Sequence, residues 1–371
     1  MRVLLAPDKF RGSLTAAEVA AALAVGIASA RPDWVVDALP VADGGDGTVD
    51  AALAAGWDRL DVATVGPTGG PRTVAYAVRG DAAVVELASA VGMQALPGGV
   101  PDPVGASTFG LGTVVGQALD HGARRVVLAL GGSASTDGGA GLLQGLGARI
   151  RDSEGRDLPV GGGALARAAT LDLTGLHPAV AHAGFEVACD VDNPLLGPEG
   201  AAAVFAPQKG ASVADVRVLE AAMSRWAEAV RAATGRDEAD EPGAGAAGGT
   251  GFGAMSVLCA RRRRGIDVVF ELTGFDARLA DADLVITGEG SLDEQSLRGK
   301  APVGVAAAAR ARGIPVVAVA GRITLSRGQL EAAGFTAAHT LAELEPDRDR
   351  SMLRAAELLR EVGRRVAAET G

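Results

Sequence analysis

Residues 283–300 read DLVITGEGSLDEQSLRGK. Leu284-Val285-Ile286 is a short apolar run of the kind buried in a strand. Gly288-Glu289-Gly290 breaks it into a polar loop carrying Ser291, Asp293, Glu294 and Ser296. Lys300 then precedes an Ala-rich pattern over 303–312, and a second apolar run follows at 314–320. Strand, loop, helix and strand in that order make a βαβ unit, which commits this part of the chain to a parallel sheet covered by helices. In open α/β sheets ligands sit beyond the carboxyl ends of the strands, and Glu289 and Asp293 fall at such an end. A lone Asp there would usually cap the helix. Two acids, two hydroxyls and a lysine crowded into one loop favour a site.

The same pattern recurs at the start of the chain. A strand over 2–6 runs into a loop holding Asp8, Lys9 and Ser13, and Thr15 with Glu18 forms a capping box that opens a helix over 16–30. A strand over 34–39 ends in PVADGGDGT, with Asp43 and Asp46, before a helix near Thr48. Gly-rich loops at helix N-termini present N–H groups to anions. The carboxylates of Asp8, Asp43 and Asp46 would repel a bare anion, so a metal ion or a substrate hydroxyl is expected there as well.

The middle of the chain has a different texture. Short strands over 60–65, 73–78 and 83–87 between Gly/Pro turns predict a partly antiparallel sheet. A helix over 108–120 and a strand over 125–130 lead into GGSASTDGGAG at 131–141. A loop this rich in glycine, set between a buried strand and a helix, reads as a phosphate cradle built on Gly131, Gly132, Ser133 and Ser135. The strand over 185–189 runs into Asp190, Asp192 and Asn193. Alternating acids in extended chain face one way and suit Mg²⁺ or general-base work; an Asx turn closed by Asn-Pro is the simpler alternative. A long helix over 213–234 follows, then a mobile loop over 235–249, a helix over 251–264 and a strand over 266–272. The tail predicts a strand over 335–339 and a helix over 350–369. The expected fold class is α/β in two domains. Residues 1–62 and 282–371 form a discontinuous Rossmann- or flavodoxin-like domain, and residues 63–281 form an inserted mixed-sheet α/β domain. The candidate loops of both are expected to face one cleft.

The charge of −10 and pI near 5.0 argue against nucleic acid or anionic membrane as a partner. With no apolar run near the ~18 residues of a membrane span, no leader-like start and two cysteines, the expected location is cytoplasmic. Self-association is left open. Only three of the 35 basic residues are lysines, Lys9, Lys209 and Lys300. Where arginine serves everywhere else, a surviving lysine marks a place that needs a compact point charge rather than a planar fork. Lys9 and Lys300 fit that reading; Lys209 is expected at a surface turn.

There is no Walker A pattern, intact GxGxxG, kinase HRD or DFG, or HExxH. The four histidines share no ligand spacing. Cys189, beside Asp190, makes a poor nucleophile because the neighbouring charge disfavours its thiolate. The remaining inventory of Asp, Glu, Lys, hydroxyls and Gly loops suits phosphoryl transfer with Mg²⁺. At these residues the chain resembles the bacterial type-1 glycerate kinases. The resemblance rests on APDKF through Ser13-Leu14-Thr15, VADGG at 41–45, GGSA at 131–134, CDVDNPL at 189–195, FAPQKG at 205–210 and TGEG at 287–290. It implies ATP- and Mg²⁺-dependent phosphorylation of D-glycerate at the 2-hydroxyl, giving 2-phosphoglycerate, in a site between two α/β domains. Arg11, Asp46 and Ser291-Leu292 depart from the common pattern, and the last removes an arginine. Combined with the loops above, the roles expected are catalysis by Asp190, Asp192 and Lys9, and substrate binding by Asp8, Ser13, Asp43, Asp46, Asn193 and Lys300. Metal binding falls to Glu289, Asp293 and Asp192. Competing readings are a kinase of another small hydroxy acid, a nicotinamide-dependent dehydrogenase and a non-catalytic organic-acid binder.

Overall fold

A computed structural model describes residues 1–370. The strands in chain order are β1 (Arg2–Leu5), β2 (Val35–Ala38), β3 (Asp58–Val65), β4 (Pro71–Arg79), β5 (Ala82–Glu86), β6 (Arg125–Ala129), β7 (Arg149–Arg151) and β8 (Thr170–Asp172), followed by β9 (Gly184–Ala188), β10 (Arg261–Arg263), β11 (Leu284–Leu292), β12 (Val316–Ile323) and β13 (Ala337–Thr340). The chain divides into two compact units. One comprises Met1–Asp43, Asp50–Gly56 and Ile266–Gly371; the other comprises Gly44–Val49 and Trp57–Gly265.

The first unit holds a five-stranded sheet in the order β13-β12-β11-β1-β2, parallel throughout. Counted along the chain within this unit the order is 2-1-3-4-5, the doubly wound arrangement whose switch point lies between the first and third strands. Side chains alternate across the sheet. Val3, Leu5, Ile286 and Val319 enter one core with the helices Ala16–Ala30 and Ala355–Glu369. Leu4, Ala6, Val285 and Ala320 enter the other with Ile266, Val269, Phe275 and Val305. Burial on both faces explains the near-continuous apolar runs.

The second unit holds a six-stranded sheet, β10-β9-β6-β5-β4-β3. β3, β4 and β5 pair antiparallel, and β5, β6, β9 and β10 pair parallel. Its core gathers Tyr76, Leu111, Leu128, Val187, Trp226 and Phe252. β7 and β8 form a separate hairpin-like pair.

Four expectations for local structure are corrected. The helix expected over 251–264 ends at Leu258, and Arg261–Arg263 pair with β9 as strand β10. Residues 266–272 are not a strand but lie in the helix Gly265–Thr273. Asp267 and Glu271, four apart, are exposed while Ile266, Val268, Val269 and Leu272 are buried, a helical division of faces. The second half of the 235–249 segment is not a mobile loop. From Gly243 to Thr250 every residue but Ala247 is buried, the helix Ala246–Leu258 begins inside it, and the Gly248 carbonyl accepts the Gly138 N–H at 2.9 Å. Gly288-Glu289-Gly290 does not end its strand either, because β11 continues to Leu292 in register with β12. A Cβ on Gly288 would lie 1.6 Å from the Val319 carbonyl oxygen, so glycine here admits the neighbouring strand.

Candidate active site

In the first unit, the chain leaving β1 crosses the carboxyl-end half of β11 at the switch point. The Asp8 N–H donates to the Gly288 carbonyl at 2.8 Å, and Thr287 Oγ1 donates to the Ala6 carbonyl at 2.7 Å. Asp8 is buried, with its Oδ1 accepting the Lys9 N–H at 2.6 Å. Burial, and then the charges of Asp43 and Glu289, push its carboxyl up to about 7 against the pull of Lys9. Glu289, only 8% exposed, is also raised, chiefly by burial, while Ser296 and Lys300 pull it back. Lys300 Nζ lies 3.4 Å from Glu289 Oε2, and the buried Oε1 has no partner of hydrogen-bond geometry. Lys300 is also the N-cap of the helix Ala301–Arg310. A cation is unfavourable at a helix N-terminus, so Glu289 is what offsets that position.

The expected neighbours of this pair divide into near and committed groups. Asp293 is close enough to Glu289 to raise it, and it accepts from Ser291 Oγ at 3.3 Å and from the Gln295 N–H at 2.9 Å. It closes a local turn and does not cap the following helix. Ser13 donates its hydroxyl to the Met352 carbonyl at 2.8 Å, which makes it a tether for that loop. Among the described residues no group of three or more His, Cys, Asp or Glu side chains is preformed to hold a metal. Mg²⁺ is commonly held by one or two carboxylates completed by water and phosphate oxygens. The partnerless Glu289 Oε1 beside Asp293 fits that mode.

In the second unit the candidate loops meet at the carboxyl edge of β5, β6, β9 and β10. Gly44–Val49 is drawn in by Glu86 at the end of β5, whose Oε2 accepts the N–H groups of Gly47 at 2.8 Å and Val49 at 3.3 Å. Burial raises the Glu86 carboxyl. A Cβ on Gly44 would lie 2.2 Å from Gly265 Cα, and one on Gly131 would lie 3.0 Å from Gly45 Cα. The Gly265 N–H in turn donates to Asp190 Oδ1 at 2.9 Å. Backbone contact between glycines therefore brings the Asp46 loop, the Gly131 loop and Asp190 together. Glu86 carries no motif that would have marked it in the sequence.

Within the 131–141 loop, Gly132 is exposed and Gly131 half-buried, while Ser133 to Gly141 are buried. Asp137 bolts the loop down. It accepts the Thr108 N–H at 2.7 Å and hydroxyl at 2.8 Å, the N–H groups of Gly139 and Gly141 at 3.2 Å, and the Ser107 hydroxyl at 3.3 Å. Ser135 Oγ and Thr136 Oγ1 are buried without partners. Lys209 is not at the surface but 2% exposed, donating to Ser133 Oγ at 2.7 Å and to the Ser135 carbonyl. Its scarcity in an arginine-rich chain was the available signal.

Asp190 and Asp192 have different partners. Asp192 is 78% exposed at its side chain and paired with Arg262 at 2.5 Å. Asn193 donates to the Glu199 carbonyl at 2.8 Å, while its own carbonyl accepts the Gly245 N–H at 2.8 Å, so it shapes the turn. The Cys189 thiol is pushed up as expected, but by burial first, with the Asp190 charge a smaller cause.

The chain matches the glycerate kinase family over residues 3–370. The chain belongs to the glycerate kinase family. It is similar to a glycerate kinase of Bacillus subtilis (strain 168), 41% identical over 371 residues, covering 99% of this chain and 97% of the relative. It is also similar to a glycerate 2-kinase of Escherichia coli (strain K12), 41% identical over 341 residues, covering 91% and 89%. A solved glycerate kinase 2 structure from Salmonella typhimurium LT2 superposes with a TM-score of 0.85 at 40% identity, covering 100% of this chain and 98% of that one. As a member of the glycerate kinase family the chain is an enzyme, a phosphotransferase with an alcohol group as acceptor. No helix among the described residues is long and apolar enough to cross a membrane.

Proposed function

We propose that this chain phosphorylates D-glycerate at its 2-hydroxyl, using ATP with Mg²⁺ and releasing 2-phosphoglycerate. Full-length membership of the glycerate kinase family carries the substrate class. The observation that carries the chemistry is Glu289, a buried carboxylate with one oxygen unpartnered, set at the switch point beside Lys300, Asp8 and Asp43. The backbone of half-buried Gly131 and exposed Gly132, with Ser133 and Ser135, is the proposed phosphate cradle. Glu289 and Asp293 would hold Mg²⁺, which when bound neutralises charge on the transferring phosphoryl group. Lys9 and Lys300 supply point charges for the acid's carboxylate or the phosphates.

Asp190 is the proposed general base. A glycerate hydroxyl does not ionise at neutral pH, so a positioned group must accept its proton. The Gly265 N–H holds one Asp190 oxygen at 2.9 Å and so fixes the carboxylate plane. Asp192, neutralised by Arg262, serves less well as base or metal ligand, and the roles first given to it pass to Asp190 and Glu289.

An ADP-release screen across small hydroxy acids tests the reading. D-Glycerate is expected to give the highest kcat/KM, with activity abolished by excess EDTA and restored by Mg²⁺. Preference for another hydroxy acid, or full turnover in EDTA, would overturn it.

A further inference from the structure

We infer that Lys209 is a positioning residue for the nucleotide: from beneath, it sets the conformation of the Gly131–Gly141 loop. The inference rests on the proposal that this loop seats the nucleotide phosphates. The loop is tied by backbone at its two ends, through Ala134 N–H to the Val91 carbonyl at 3.1 Å and Gly138 N–H to the Gly248 carbonyl at 2.9 Å. Between those ties the hydroxyls of Ser135 and Thr136 are buried and without partners. The Lys209 ammonium takes up the Ser135 carbonyl and the Ser133 hydroxyl there. It touches the loop from inside, so it acts on a ligand only through the loop.

The chemistry of the position argues for a lysine used in function. Enclosing an ammonium group is unfavourable, and a buried charge is weak evidence of a role in stability. Asp137, the charge that favours the ammonium, has its own donors from Ser107, Thr108, Gly139 and Gly141 and does not depend on Lys209 for hydrogen bonds. The lysine tip is packed closely against backbone: a Cβ on Gly248 would lie 2.8 Å from Nζ and 2.1 Å from the Ser135 carbonyl oxygen. The fold thus keeps an ionisable amine in an unfavourable place, and a glycine to accommodate it, directly under the loop proposed to hold phosphates.

The test is steady-state kinetics on the full chain with Lys209→Met, Lys209→Arg, Ser133→Ala and Gly132→Ala, each checked for folding by thermal melting. Lys209→Met is expected to melt near the wild-type temperature yet raise KM for ATP by roughly tenfold or more, the worth of a charged hydrogen bond, with KM for glycerate little changed. Ser133→Ala should move ATP KM the same way by less, and Lys209→Arg should not rescue it. Should Lys209→Met fail to fold, Lys209→Gln, made and checked in the same way, decides: its amide is too short to reach the Ser135 carbonyl, so an ATP KM that rises with an unchanged melting temperature supports the inference, and one that stays put overturns it. Gly132→Ala tests the underlying reading, since a Cβ there meets only Ala88 at 3.5 Å but strains the loop at φ +64°. If Gly132→Ala raises ATP KM and folded Lys209→Met does not, the nucleotide loop stands and the inference about Lys209 falls. If Gly132→Ala and Lys209→Met both raise KM for glycerate instead, the assignment of the loop to the nucleotide falls, and the inference with it.

Discussion

Asp190 and Lys209 carry the sharpest consequences at the scale of single residues. Asp190→Asn keeps the shape and the acceptor for the Gly265 N–H but removes basicity. It is expected to lower kcat by roughly 10²–10⁴-fold, the usual worth of acid–base catalysis, with ATP binding retained; near-normal kcat would exclude Asp190 as the base. Lys209 makes a prediction about pH and stability. Burial lowers its pKa from 10.5 to about 7, with Asp137 opposing. Between those values the unfolded chain binds a proton that the folded chain does not, so stability from this group rises as pH climbs from about 7 towards 10.5. Urea midpoints across that window should rise more steeply for wild type than for Lys209→Met, and parallel curves would contradict the burial of an ionisable lysine. The pairing of Glu289 with Lys300 follows from their place in one loop, where both were expected. The pairing of Asp192 with Arg262 was not legible, because alternation in an extended segment does not reveal a partner some seventy positions later. Glu86 was invisible because a lone acid at a strand end looks like any other.

Among the elements, helices with a clear cap and period were legible. The capping box of Thr15 and Glu18 and the long helix Val213–Thr234 stand where the pattern put them. The failures share a physical cause. Glycine marks both freedom and close approach, and the sequence does not distinguish them. At 245–249 and at 288–290 the glycines admit backbone neighbours rather than loosen the chain. The apolar run at 266–272 was ambiguous for its length, and the spacing of Asp267 and Glu271 was the signal that decides it. Gly288 gives the test at this scale. A methyl group there meets the Val319 carbonyl in a paired strand, and neither backbone can yield without opening the β11–β12 ladder. Gly288→Ala should destabilise the protein by about 2 kcal/mol or more by urea denaturation, and a wild-type midpoint would refute the close pairing.

For the molecule as a whole, the α/β class followed from strand–loop–helix order, and the parallel sheet of the first unit followed with it. Its strand order did not, because nothing local fixes which side of β1 receives β11. That order is what places Asp8 beside Gly288 and gives Glu289 its switch-point position. Family membership fixes phosphoryl transfer to an alcohol as the chemistry, and the regiochemistry is the part of the account most exposed to test. Phosphorus and carbon NMR of the product from D-glycerate, ATP and Mg²⁺ measures it directly. The account predicts coupling of phosphorus to the proton on carbon 2, hence 2-phosphoglycerate. Coupling to the carbon 3 protons, or no phosphorylated acid at all, would contradict it.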